Sequence, residues 1–107
     1  MCPHQKIIDL YNNILGKELS RVKSKLWNGT RQVSLQSRWK EDKERQNVEW
    51  WEKYFEEVNK SDFLMGRVPG RNGQQPFRAD MGWLINKSNI VKVLEGKYLN
   101  KNSEEVW

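Results

Sequence analysis

Cys2 and His4 are the first side chains along the chain that could do covalent chemistry, as a thiol nucleophile beside a base. They are also its only cysteine and its only histidine. That excludes an internal disulfide and any zinc site assembled from Cys and His within one chain. The pair stands at the extreme N-terminus, where chains are poorly held unless docked, so catalysis by it is not expected. Carboxylate chemistry needs two acids converging on a pocket, whereas Glu49, Glu52, Glu56 and Glu57 fall mostly on the outer face of a predicted helix. The segment Gly66–Pro76 is glycine-rich but lacks the Gly-Lys-Ser/Thr ending of a phosphate-cradling loop. The expectation is a protein that is not an enzyme and uses no cofactor or metal.

Binding chemistry is better furnished. Single strands of nucleic acid are held by cations that track phosphates and by rings on which bases stack, each base worth ~1–3 kcal/mol. Arg67, Arg71, Arg78 and Lys87 surround the Gly/Pro-rich loop and the start of the next predicted helix, with Trp83 close behind. Trp83 falls one position off the apolar stripe Met81, Leu84, Ile85, and Trp50 lies beside the stripe of its own helix. These two tryptophans have the strongest claim to a stacked partner. The plainer reading competes at each: a ring beside a stripe is commonly the edge of a core, and arginines in a loop are commonly solvated.

Charge points the same way. The formal net charge is +5 and it is unevenly spread. Nine Lys/Arg face four Asp/Glu from Lys17 to Arg45, and seven face two from Arg67 to Lys101. Between them, Glu49 to Asp62 carries five acids and two lysines. Two basic lobes around an acidic helix suit a polyanion, with ordinary solubilising charge as the alternative.

These groups have to be positioned by a single domain, which is what 107 residues allow. Six Trp, three Tyr and three Phe argue against disorder and form the bulk of the expected core. No run approaches the ~18 apolar residues of a membrane span. The N-terminus has no basic-then-apolar signal pattern, and a lone cysteine suits a reducing cytoplasm. The pattern predicts an all-α bundle of about five helices with one long Gly/Pro-rich loop. Pro3 opens the first helix, Ile7, Ile8, Tyr11, Ile14 and Leu15 form its buried stripe, and Gly16 ends it. A basic loop follows, anchored by Leu19, Val22 and Trp27. Thr30 caps a second helix to about Asp42, with Leu35 and Trp39 inward and Arg31, Arg38 and Lys40 elsewhere. Asn47 caps a third, through about Asn59, burying Trp51, Tyr54, Phe55 and Val58. Glu49–Lys53 and Glu56–Lys60 are i,i+4 pairs on it. A fourth helix starts near Arg78. Asn89 caps a short fifth, with Ile90, Val93 and Leu94 inward, which Gly96 ends. Residues 1–99 form the domain, and 100–107 a polar tail expected to fray.

Several motifs occur together in order. They are Cys2-Pro3-His4-Gln5-Lys6-Ile7-Ile8, Trp27-Asn28-Gly29-Thr30-Arg31, Trp50-Trp51-Glu52-Lys53-Tyr54-Phe55 and Ser61-Asp62-Phe63-Leu64-Met65-Gly66. The last block runs from Phe77-Arg78-Ala79-Asp80-Met81-Gly82-Trp83-Leu84-Ile85 through Asn89 to Lys92-Val93-Leu94-Glu95-Gly96-Lys97-Tyr98. As a set, over residues 2–98, they resemble a domain of phage and prophage replication proteins, and the ending is similar to DnaT-like and DnaD-like primosomal domains. The resemblance implies a helical domain that binds single-stranded DNA and contacts a replicative helicase or its loader during replication initiation. It implies DNA-binding roles for Arg78, Trp83, Lys92, Lys97 and Tyr98. Such domains usually follow a winged-helix domain, which this sequence does not contain, leaving an excised domain or a free-standing relative as alternatives. A free-standing relative could instead inhibit a host system. A rival reading is therefore a protein-interaction module in which Glu49, Glu52, Glu56 and Glu57 dock a basic partner.

Overall fold

A computed structural model describes residues 1–100. Its elements are α1 (His4–Leu15), α2 (Gly29–Lys40), α3 (Val48–Asn59), α4 (Met81–Leu84) and α5 (Lys87–Leu94), with single 3₁₀ turns at Ser24–Leu26 and Lys43–Arg45. Among the described residues there is no strand, and the protein is the small all-α bundle its periodicity predicts.

The core forms where α1 lies along α3. Ile7, Ile8, Tyr11 and Leu15 face Trp51, Tyr54, Phe55 and Val58, all of them buried. Tyr11 meets Phe55 edge-on, with centroids 5.7 Å apart. The polar tips of these rings are all satisfied, as burial demands. Tyr11 Oη–H donates to the Ser20 carbonyl at 2.7 Å, Trp51 Nε1–H to Arg45 at 2.8 Å, and Tyr54 Oη–H to Leu84 at 2.7 Å. Each bond also fastens a neighbouring segment to the α1–α3 pair. Asn12 does the same for the basic stretch: its side chain accepts from the Val22 N–H and donates to the Val22 carbonyl. Leu19, Val22 and Trp27 are buried accordingly.

Three predicted helix starts shift. Thr30 lies inside α2, which begins at Gly29 after an extended Asn28. Arg78 precedes α4, because Asp80 caps it by accepting the Trp83 N–H at 2.8 Å. Asn86, and not Asn89, caps α5, accepting from the N–H groups of Ser88 and Asn89. Asn89 instead donates from Nδ2 to the Trp83 carbonyl at 3.1 Å, tying α5 to the end of α4. Asn47 does cap α3, through the Trp50 N–H.

Arg38 also departs from expectation. It is only 9% exposed, and Arg45 8%. Both flank the Glu41 carboxylate, and Arg38 Nη1–H donates to the Ile85 carbonyl at 3.4 Å. Arg38 Nε stands 3.0 Å from Glu41, close enough for an ion pair but not aligned for a hydrogen bond. Two cations of the first basic lobe are thus internal ties. Val33, by contrast, is 63% exposed.

Asn100, the first residue of the expected tail, is tied to the end of α3. It donates to the Lys60 carbonyl at 2.9 Å and accepts the Asp62 N–H at 3.0 Å. The rest of that tail lies outside the described residues. None of the described helices is long and apolar enough to cross a membrane.

Candidate nucleic-acid interface

The segment after α3 turns sharply and places Phe63 outside while Leu64 and Met65 go in. Phe77, at the far end of the Gly/Pro-rich loop, returns to lie on it. Phe63 and Phe77 stack at 4.9 Å with planes 12° apart, and Phe63 and Tyr98 stack at 5.6 Å and 8°. Trp83 stands edge-on to both Phe77 and Tyr98, at 5.4 Å from each. The four rings close a circuit on the surface. Phe63 is 40% exposed and Phe77 36%, while Trp83 and Tyr98 are half-buried. Tyr98 is held there because Ser61 Oγ donates to its carbonyl.

Loop geometry sets one side of this platform. Asn72 and Gly73 both have positive φ, 52° and 79°, and the Gln74 N–H donates to the Arg71 carbonyl at 2.9 Å. That is a type I′ turn, for which Asn-Gly is the preferred pair. Gly70 is packed so closely on the backbone of Gln74 and Gln75 that a Cβ there would overlap the Gln74 carbonyl. Substituting Gly70→Ala is therefore expected to open the loop and displace Phe77 while leaving α1–α3 intact. Thermal melting should change little, which a melt beside the wild type would reveal.

The expected site residues separate into groups. Trp83 and Tyr98, predicted far apart in sequence, meet on the platform. Arg71 lines the groove beside Phe63 and Phe77. Lys92 and Lys97 come together at the end of α5, where the Lys97 N–H donates to the Lys92 carbonyl past Gly96 at φ 80°. Lys97 Nζ also stands 3.8 Å from Glu95, an exposed pair that water and salt screen. Lys87 is exposed on the first turn of α5. Arg78 lies across Gly66, and its charge helps to hold the Glu18 carboxyl below its ordinary range.

Arg67 is arranged differently. A guanidinium has five N–H donors, and here they make five bonds: two to Glu18, one to Asp62 and two to Asn59. Its hydrogen bond is the main reason the Glu18 carboxyl titrates low. Arg67 clasps the loop to the bundle and leaves no donor for a phosphate. Trp50 is likewise engaged: Tyr54 stacks on it at 5.3 Å and the Arg45 guanidinium lies 5.6 Å from its ring centre.

Of the acidic residues, Glu49, Glu52 and Glu56 are exposed on α3, opposite its buried stripe. Glu57 is half-buried on the flank and pairs with Lys60 at 3.3 Å.

Both residues of the N-terminal pair are engaged by the fold. Cys2 is buried, which pushes its thiol up to about 11, far from a reactive thiolate. His4 Nδ1 accepts the Trp27 Nε1–H at 3.1 Å. Burial lowers the His4 pKa from 6.5, so the unfolded chain takes up the proton first. The His4 contribution to stability is thus complete above the unfolded value and lost as pH falls through the lower folded value. Melting temperature is expected to drop on acidification from about pH 7.5 to 5, and His4→Gln should remove that component.

Phe63 and Phe77 were not singled out by sequence reasoning as binding residues. The available signal was Phe77 standing off any helical stripe between Pro76 and Arg78. No family model, curated protein or solved structure matches the chain. The resemblance to replication-protein domains stands on its motifs alone.

Proposed function

We propose that this protein binds single-stranded DNA and is not an enzyme. It would act as an accessory domain in phage-type replication initiation or helicase loading, in the bacterial cytoplasm. The observation that carries the reading is the circuit of Phe63, Phe77, Trp83 and Tyr98, with two of its rings presented to solvent. The stacked phenylalanines, 40% and 36% exposed, offer apolar ring surface to a partner. Arg71 lines the adjoining groove, Lys97 neighbours Tyr98, and the net charge is +5, which suits a strand whose bases stack while its phosphates meet cations.

The test is anisotropy with labelled oligothymidylate and with a duplex of equal length. Binding to the single strand at low salt, weakening steeply as salt rises, is expected. Absence of binding at low salt removes the reading. The exposed stripe Glu49, Glu52, Glu56 favours a second role, docking a basic surface on a replicative helicase or its loader. A partner retained from nuclease-treated bacterial lysate and lost on charge reversal of the stripe supports that role.

A further inference from the structure

Beside the ring circuit lies a groove of about 330 Å³ lined by Phe63, Val68, Pro69, Arg71, Gln74 and Phe77, with Gly70 and Gln75 completing it. We infer that this groove seats one unpaired nucleobase, with Arg71 on its phosphate; the inference rests on the single-strand reading above and assigns it a base-contacting pocket. The chemistry of the lining is that of a nucleotide in negative. Phe63, Phe77, Val68 and Pro69 supply its apolar walls. The two glutamine amides carry both donors and acceptors for its edge, as unpaired bases require. Arg71 is exposed and forms no ion pair among the described residues, so its fork is open to a phosphate. No carboxylate is among the residues that line the groove. The walls are also fixed in advance. The Asn72-Gly73 turn and the packing of Gly70 against Gln74 and Gln75 shape one side, while Arg67 ties the loop base to Asn59, Asp62 and Glu18. A preformed slot lowers the ordering cost of binding.

The experiment compares oligothymidylate with an abasic strand of the same length, using wild type, Gln74→Ala/Gln75→Ala and Arg71→Ala. All three side chains are exposed, so the variants are expected to fold, with circular dichroism as the check. The wild type should bind the base-bearing strand more tightly. The double glutamine variant should lose about tenfold on it and almost nothing on the abasic strand. Arg71→Ala should weaken both strands and lower the slope of log affinity against log salt by about one. If the wild type binds but the glutamine variant matches it on both strands, the base seat is wrong and the single-strand reading stands. If the wild type binds neither strand, both fall. Displacement of bound oligothymidylate by an acidic apolar peptide with the glutamine variant unimpaired would assign the groove to a protein partner and overturn the inference.

Discussion

Phe63→Ala/Phe77→Ala is expected to weaken single-strand binding about ten- to a hundredfold while leaving its salt dependence unchanged. The two effects separate because they have different sources. Rings contribute through stacking, worth ~1–3 kcal/mol per base, and release no counterions. Cations set the salt slope, and none is altered in this variant. Because both phenylalanines face solvent, the bundle should keep most of its stability. Titrations at several salt concentrations, with a thermal melt beside them, check each part. A variant that bound as tightly as the wild type would show that the exposed rings only brace the loop.

Trp51→Ala should be the most damaging single change to the fold. Trp51 is 0% exposed and contacts Trp50, Tyr54 and Phe55. Its removal costs about 3–5 kcal/mol for the lost burial and the cavity. It also strands the Arg45 carbonyl that its Nε1–H satisfies. Against a typical stability of roughly 5–15 kcal/mol, that is a large share of the total. Urea denaturation should give a much lower midpoint, whereas Val33→Ala, on an exposed site, should hardly move it.

Much of this framework could be read from local sequence, for a physical reason. In α1 and α3 large apolar residues recur at helical spacing, so one stripe defines both helix and core. The start of α5 was less legible because neighbouring polar residues compete for the same cap. Asn86 and Asn89 both can accept backbone N–H groups, and tertiary packing gives Asn89 a different partner on α4. Arg67 shows the stronger limit. Beside a Gly-rich loop it reads as a free cation, yet its principal partner, Glu18, lies on the far side of the sequence. The platform was half visible: Trp83 and Tyr98 follow from the motifs, while Phe63 and Phe77 join them only through long-range packing. Arg38 read as lying off the inward face of α2 because one of its partners, the Ile85 carbonyl, is supplied by a distant segment just past α4.

The central claim is that a strand stacks on the ring circuit around Trp83, and intrinsic fluorescence reads this directly. Titrating oligothymidylate should quench the wild type, leave Trp83→Phe with little quenching although it still binds, and quench Trp50→Phe as it does the wild type. Trp50 is the matched control because Tyr54 and Arg45 already engage its ring. Quenching that is equal in Trp83→Phe and wild type, or absent from the wild type under conditions where anisotropy reports binding, would contradict the account.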